Sequence, residues 1–287
     1  MEQGAWEGRC NEDGAILVRT WIIASAALAF CLVGAPESKA LVFGDDARLE
    51  LQDFAKARHL DPKRMQALHA ASGLIQCGAA RGAGQLTGAN NVVTTAAHVF
   101  YDRAGRLRAD SAHCLFSVEV SGVTLVAAID LASIIAGSVD PYALPAVHDW
   151  AVARLMRPIL GAKPYAFGGL IAPEQKIEFV ARGHQDWGGG RKMSIQDCQI
   201  RQALDAGAEG TRELAFDCDA GVGASGGAIL NAAGNEMLGI FVGFRSASPD
   251  QPLAFSPQRY NFAVTLEGAF RRAVETAAGR AKAADGE

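Results

Sequence analysis

Ser225 stands in the stretch Asp217-Cys218-Asp219-Ala220-Gly221-Val222-Gly223-Ala224-Ser225-Gly226-Gly227-Ala228-Ile229-Leu230, between glycines, behind a cysteine and ahead of a short apolar run. That is how a chain presents a nucleophilic hydroxyl, on a tight turn before a core strand. A free serine hydroxyl is too weakly acidic at neutral pH to attack a carbonyl unaided, so it needs a neighbouring base. All six histidines precede it, the last being His184. An order Ser, Asp, His is therefore impossible, whereas His, Asp, Ser is available. Asn91-Val92-Val93-Thr94-Thr95-Ala96-Ala97-His98-Val99-Phe100 places His98 after a β-branched strand and two small residues, and Val147-His148-Asp149-Trp150-Ala151-Val152-Ala153-Arg154-Leu155 places Asp149 at the head of an alternating run. In those roles His98 takes the serine proton and Asp149 holds the ring tautomer and stabilises the imidazolium. His148 cannot replace Asp149, because a cation cannot act as the anionic partner. Each residue taken singly also has a bland reading, as a satisfied histidine or as turn residues.

Together the three stretches resemble the Thr-Ala-Ala-His, Asp-Trp-Ala-Val and Gly-x-Ser-Gly-Gly motifs of the trypsin/chymotrypsin superfamily, in the bacterial secreted branch that contains the glutamyl endopeptidases. The resemblance spans residues 72–265. It implies an all-β chymotrypsin-like fold, two six-stranded antiparallel β-barrels with a C-terminal α-helix. It also implies a secreted serine endopeptidase that cuts protein or peptide substrates through an acyl-enzyme. The catalytic residues would be His98, Asp149 and Ser225, with the N–H groups of Gly223 and Ser225 as the oxyanion hole and no cofactor. The cysteine pairing it implies is Cys77–Cys114 across the histidine loop and Cys198–Cys218 in front of the serine. Two other classes compete: a catalytically idle protease-like binding protein and a secreted esterase with the same triad.

The substrate pocket is where the chain departs from its relatives. Ala224 occupies the place of the aspartate that pairs with a new N-terminus in trypsin-type enzymes, so activation by that ion pair is not supported. Met237–Phe244 resembles the strand to which a substrate backbone adds by β-pairing, with Phe241, Val242 and Gly243 as substrate-binding residues. Phe241 takes the place of the histidine by which glutamyl endopeptidases recognise a carboxylate. Asp219 lies six residues before the serine, where trypsin has its basic-pocket aspartate, which suggests a preference for Arg or Lys. Ala220, Gly243 and Phe241 shaping a small or apolar pocket is the alternative.

The 287 residues carry a net charge of −4 and no dense Lys/Arg run, which argues against a nucleic-acid partner. Arg19 precedes an apolar stretch, 21–34, shorter than the ~20 residues a membrane span needs, and Ser38-Lys39-Ala40 offers a cleavage site. The expected organisation is a signal peptide (1–40), an N-terminal extension or pro-segment (41–71), a first barrel carrying His98 and Asp149 (72–160), and a second carrying Ser225 plus the helix (161–287). Export to the medium or periplasm as a monomer, with no stable membrane span after cleavage, is the corresponding expectation. It leaves four cysteines, which allow three pairings; no C-x-x-C or H-x-x-x-H spacing points to metal. First-barrel strands are predicted at 73–78, 83–87, 91–95, 115–120, 123–130 and 150–155; second-barrel strands at 177–183, 198–203, 213–217, 227–230, 237–244 and 261–264. A helix over 265–283 should bury Leu266, Phe270, Val274 and Ala277. Asp61 and Pro62 should open a helix over 62–69, with His59 and His69 solvated on it.

Overall fold

Short β-branched runs cut by Gly and Asn pair with one another in antiparallel ladders, and each ladder here closes on itself. The computed structural model describes residues 41–284 except Leu144 and Asp250; the expected signal peptide lies outside the described residues. A strap from Leu41 leads to β1 (Leu49–Glu50), α1 (Leu51–Ala57) and α2 (Pro62–Leu68). As expected, Asp61 caps α2, its Oδ1 accepting from Lys63 N–H at 3.0 Å. The first barrel is formed by β2 (Ser72–Cys77), β3 (Ala80–Leu86), β4 (Val92–Thr95), β5 (Cys114–Val120), β6 (Val123–Ala136) and β7 (Ala151–Leu155), closed in the order β2-β3-β4-β7-β6-β5.

The second barrel contains β9 (Lys176–Arg182), β10 (Met193–Ala203), β11 (Glu213–Phe216), β12 (Ala228–Asn231), β13 (Glu236–Arg245) and β14 (Tyr260–Thr265). It closes because β9 pairs with both β10 and β12. β1 extends it at β10, and β8 (Ala166–Phe167) runs parallel to β13. The predicted fold class is thus the observed one. Several strands run longer than expected, most of all β6, which continues to Ala136, and β10, whose first half pairs Met193–Asp197 with Arg182–Glu178. That segment is polar on alternate positions, and long-range pairing rather than local propensity makes it a strand. Phe179, Phe216 and Phe241 meet at ring distances of 5.6 to 6.2 Å in the second core; burying each such ring contributes about 2 to 3 kcal/mol.

The last helix, α3 (Gly268–Ala284), crosses back to the first barrel. Phe270 stacks on Trp150 at 5.0 Å, while Arg271 and Arg272 face solvent. Disulfides join Cys77 to Cys114 and Cys198 to Cys218, the pairing the resemblance implied.

His69 corrects an expectation: it is fully buried, not solvated. Its Nδ1 meets Tyr165 Oη at 3.3 Å, and its Nε2 lies 3.4 Å from Glu178 Oε2, also buried. Burial pushes His69 down to about 4; burial, with Asp197 adding and Arg58 opposing, raises Glu178 to about 7. Near pH 5.5 the folded pair therefore holds its one proton on Glu178, as a neutral acid facing a neutral imidazole. The unfolded chain also holds one, on His69, so the pair gives stability little slope between pH 4.5 and 6.5. Glu178→Gln removes the carboxyl and leaves a histidine whose folded pKa is depressed. In that variant the unfolded state binds more protons, and stability falls by about 2 kcal/mol as pH drops from 6.5 to 4.5. Urea melts of both proteins at pH 6.5 and 4.5 check this; parallel losses would refute it.

Candidate active site

β4 and β7 are hydrogen-bonded neighbours with Thr95 opposite Ala151. The residues just after Thr95 and those just before Ala151 must therefore emerge side by side at one barrel end. Two fully buried alanines, Ala96 and Ala97, turn the chain into a 3-10 turn, Ala97–Val99, that presents His98. Asp149 ends the 3-10 turn Ala146–His148 just before β7. The two side chains meet: Asp149 Oδ2 lies 2.6 Å from His98 Nδ1, and Oδ1 accepts from the His98 backbone N–H at 2.9 Å. Because the carboxylate can only accept, Nδ1 carries the proton and Nε2 keeps its lone pair. Asp149 is 6 % exposed and His98 20 %, so the carboxylate is shielded while the ring edge is open. His148 points elsewhere, 3.9 Å from Glu209.

The serine loop is docked on the same barrel end. Ser225 C=O accepts from Ala83 N–H at 2.7 Å, and Gly226 C=O from the Gln85 amide at 2.7 Å. Gly226 has φ +87°, and a Cβ there would strike Ala83 O and Thr95 Oγ1, three residues before His98. Glycine at 226 thus lets the loop settle against the strand that carries the histidine. The Ser225 hydroxyl makes no hydrogen bond with His98 among the described residues. Gly223 also needs to be glycine: its φ is +90°, and a Cβ would collide with Gly183 O. Among the described residues the N–H groups of Gly223 and Ser225 have no acceptor, whereas those of Ala224, Gly226 and Gly227 bond to Gly221, Phe241 and Ala224.

The residues expected in the pocket are placed differently from one another. Asp219 is 2 % exposed, and its two oxygens accept from Phe43 N–H (2.8 Å) and Ala47 N–H (2.7 Å). Burial raises its pKa, against those two hydrogen bonds. Ala220 exchanges backbone hydrogen bonds with Leu41 in both directions. The expectation of Asp219 as a pocket-floor carboxylate free to receive Arg or Lys is therefore corrected, because the strap occupies both its oxygens. Phe241 sends its ring into the barrel core, and its backbone is bonded to Gly226 and Gly227. Past Phe241 the ladder with β14 skips Val242 and resumes at Gly243. The β12-side edge from Val242 to Arg245 has no strand partner among the described residues. A cleft of about 400 Å³ lined by Gln66, Arg182 and Lys192 contains none of these residues.

Residues 82–240 match the family described as trypsin-like peptidase domain. No match was found among curated proteins. Among solved structures, a Glu endopeptidase in complex with MPD superposes with a TM-score of 0.62 at 16% identity, over 83% of this chain and 99% of that one. A thermostable serine protease from an extremophilic microorganism gives 0.51 at 14% identity, over 74% and 99%. At such identities the likeness is one of fold.

Proposed function

Since the chain belongs to the trypsin-like peptidase domain family, we propose that this serine-type endopeptidase works through His98, Asp149 and Ser225. The observation that carries the proposal is the closed His98–Asp149 contact at 2.6 Å, at the barrel end where the Ser225 loop is docked. Ser225 Oγ attacks the scissile carbonyl carbon as His98 Nε2 takes its proton, and Asp149 offsets the charge of the imidazolium. The carbonyl oxygen, now an alkoxide, receives the N–H groups of Gly223 and Ser225. Collapse expels the amine, protonated by Nε2, and leaves an acyl-enzyme. Water, deprotonated by the same nitrogen, then releases the acid and restores Ser225. The unpaired edge at Val242–Arg245 suits an extended substrate backbone, which would add there as a further strand. On this reading residues 72–160 supply base and acid and 161–287 the nucleophile. Two disulfides fit an oxidising compartment, in line with export.

Intact mass before and after a fluorophosphonate probe tests the assignment. Wild type should gain one adduct and Ser225→Ala none. An unlabelled, correctly folded wild type, or equal labelling of both, would remove Ser225 as an activated nucleophile.

A further inference from the structure

Arg48 is 6 % exposed, yet all five of its N–H groups have acceptors. Nε and Nη2 donate to Asp46 (2.9 and 2.7 Å), Nη1 and Nη2 to Asp186 (3.2 and 2.9 Å), and Nη1 to His184 Nδ1 (3.1 Å). Guanidinium only donates, so Nδ1 accepts, and His184 Nε2–H donates to Ser194 Oγ at 2.8 Å. Burial first, then the Arg48 charge, holds His184 down to about 3, against Asp186 and Asp46, so the ring is a neutral bridge. The other side of this loop abuts the serine loop. Gln185 N–H donates to Val222 O at 2.9 Å, and the backbones of Gly183 and Gly223 touch without room for a Cβ on either. The start of the strap holds the other approach to Gly223, through Asp219 and Ala220. Beside the serine, Ala224 is buried and carries no charge that could anchor the loop.

We propose that Arg48 is a positioning residue: through it the strap fixes the 183–186 loop under Gly223 and so keeps the Gly223 and Ser225 N–H groups converging on one oxygen. The inference rests on the serine-peptidase reading for its catalytic consequence and on the packing alone for its structural one. A lysine has one point charge and three donors, and cannot reproduce the fork to Asp186 while reaching His184.

Two measurements on the full chain test it. In a Ser225→Ala background, which removes self-digestion, Arg48→Lys should raise amide hydrogen exchange across 183–187 and 219–224 at least about tenfold. β4 and β7 should stay protected. In the active protein, Arg48→Ala and Arg48→Lys should lower kcat by about 10²-fold and 10-fold with KM nearly unchanged, as expected for misplaced oxyanion donors. The exposed Arg271→Ala serves as the unaffected control. Unchanged exchange in the two loops, or a rise in KM with kcat intact, overturns the proposal; so does a uniform rise in exchange, which would mark a general stability effect. A wild type that turns over no peptide fails the serine-peptidase reading instead, and the exchange data still decide the structural half.

Discussion

Ser225→Ala and His98→Ala are each expected to lower kcat about 10⁶-fold, and the double variant no further, because a nucleophile and its base act as one unit. Without His98 the hydroxyl keeps its proton; without Ser225 the base has nothing positioned to deprotonate. Either loss abolishes the covalent route, and removing the second partner subtracts little. A residual rate of 10³ to 10⁴ over water, roughly what binding and oxyanion donors alone supply, should survive in all three. The Ser225 loop is fixed by main-chain bonds to Ala83 and by Gly226 against Thr95, none of which involves the hydroxyl. The Ser225→Ala variant should therefore melt within about 0.5 kcal/mol of wild type, as substitutions away from core contacts do. Single-turnover hydrolysis of a chromogenic peptide reads the rates. A His98→Ala loss below tenfold, or a double variant far slower than either single, contradicts the shared role.

The candidate triad could be picked from the sequence because chemistry restricts residue type and because the order along the chain excludes one template. Strand alternation did the rest: Thr95 and Ala151 fall opposite each other, and the residues three beyond and two before them meet. The segments misread are those whose state depends on distant partners. His69 ends a short helix that otherwise reads as exposed, and Tyr165 and Glu178, about a hundred residues away, meet its ring in the interior. Asp219 sits at the position that resembles trypsin's pocket aspartate, yet a strap more than 170 residues earlier in the chain takes both its oxygens. The role of Arg48 was not legible, because beyond the nearby Asp46 its partners Asp186 and His184 are recognisable only once both loops are folded.

Asp149→Asn should reduce kcat by about 10⁴-fold, worth roughly 5 kcal/mol in the barrier, with KM little changed. The amide is nearly isosteric, and its oxygen can still accept from the His98 backbone N–H as Oδ1 does at 2.9 Å. Its NH2 then faces Nδ1, where Oδ2 stands at 2.6 Å. Two donors cannot share that contact, so Nδ1 gives up its hydrogen and Nε2 acquires it. The nitrogen that should accept the Ser225 proton is then occupied, and no carboxylate remains to offset an imidazolium. ¹⁵N shifts of His98 should report the exchanged tautomer directly. If the rate falls with the wild-type tautomer preserved, charge stabilisation dominates. A loss of less than tenfold would mean that Asp149 is not the group that prepares His98.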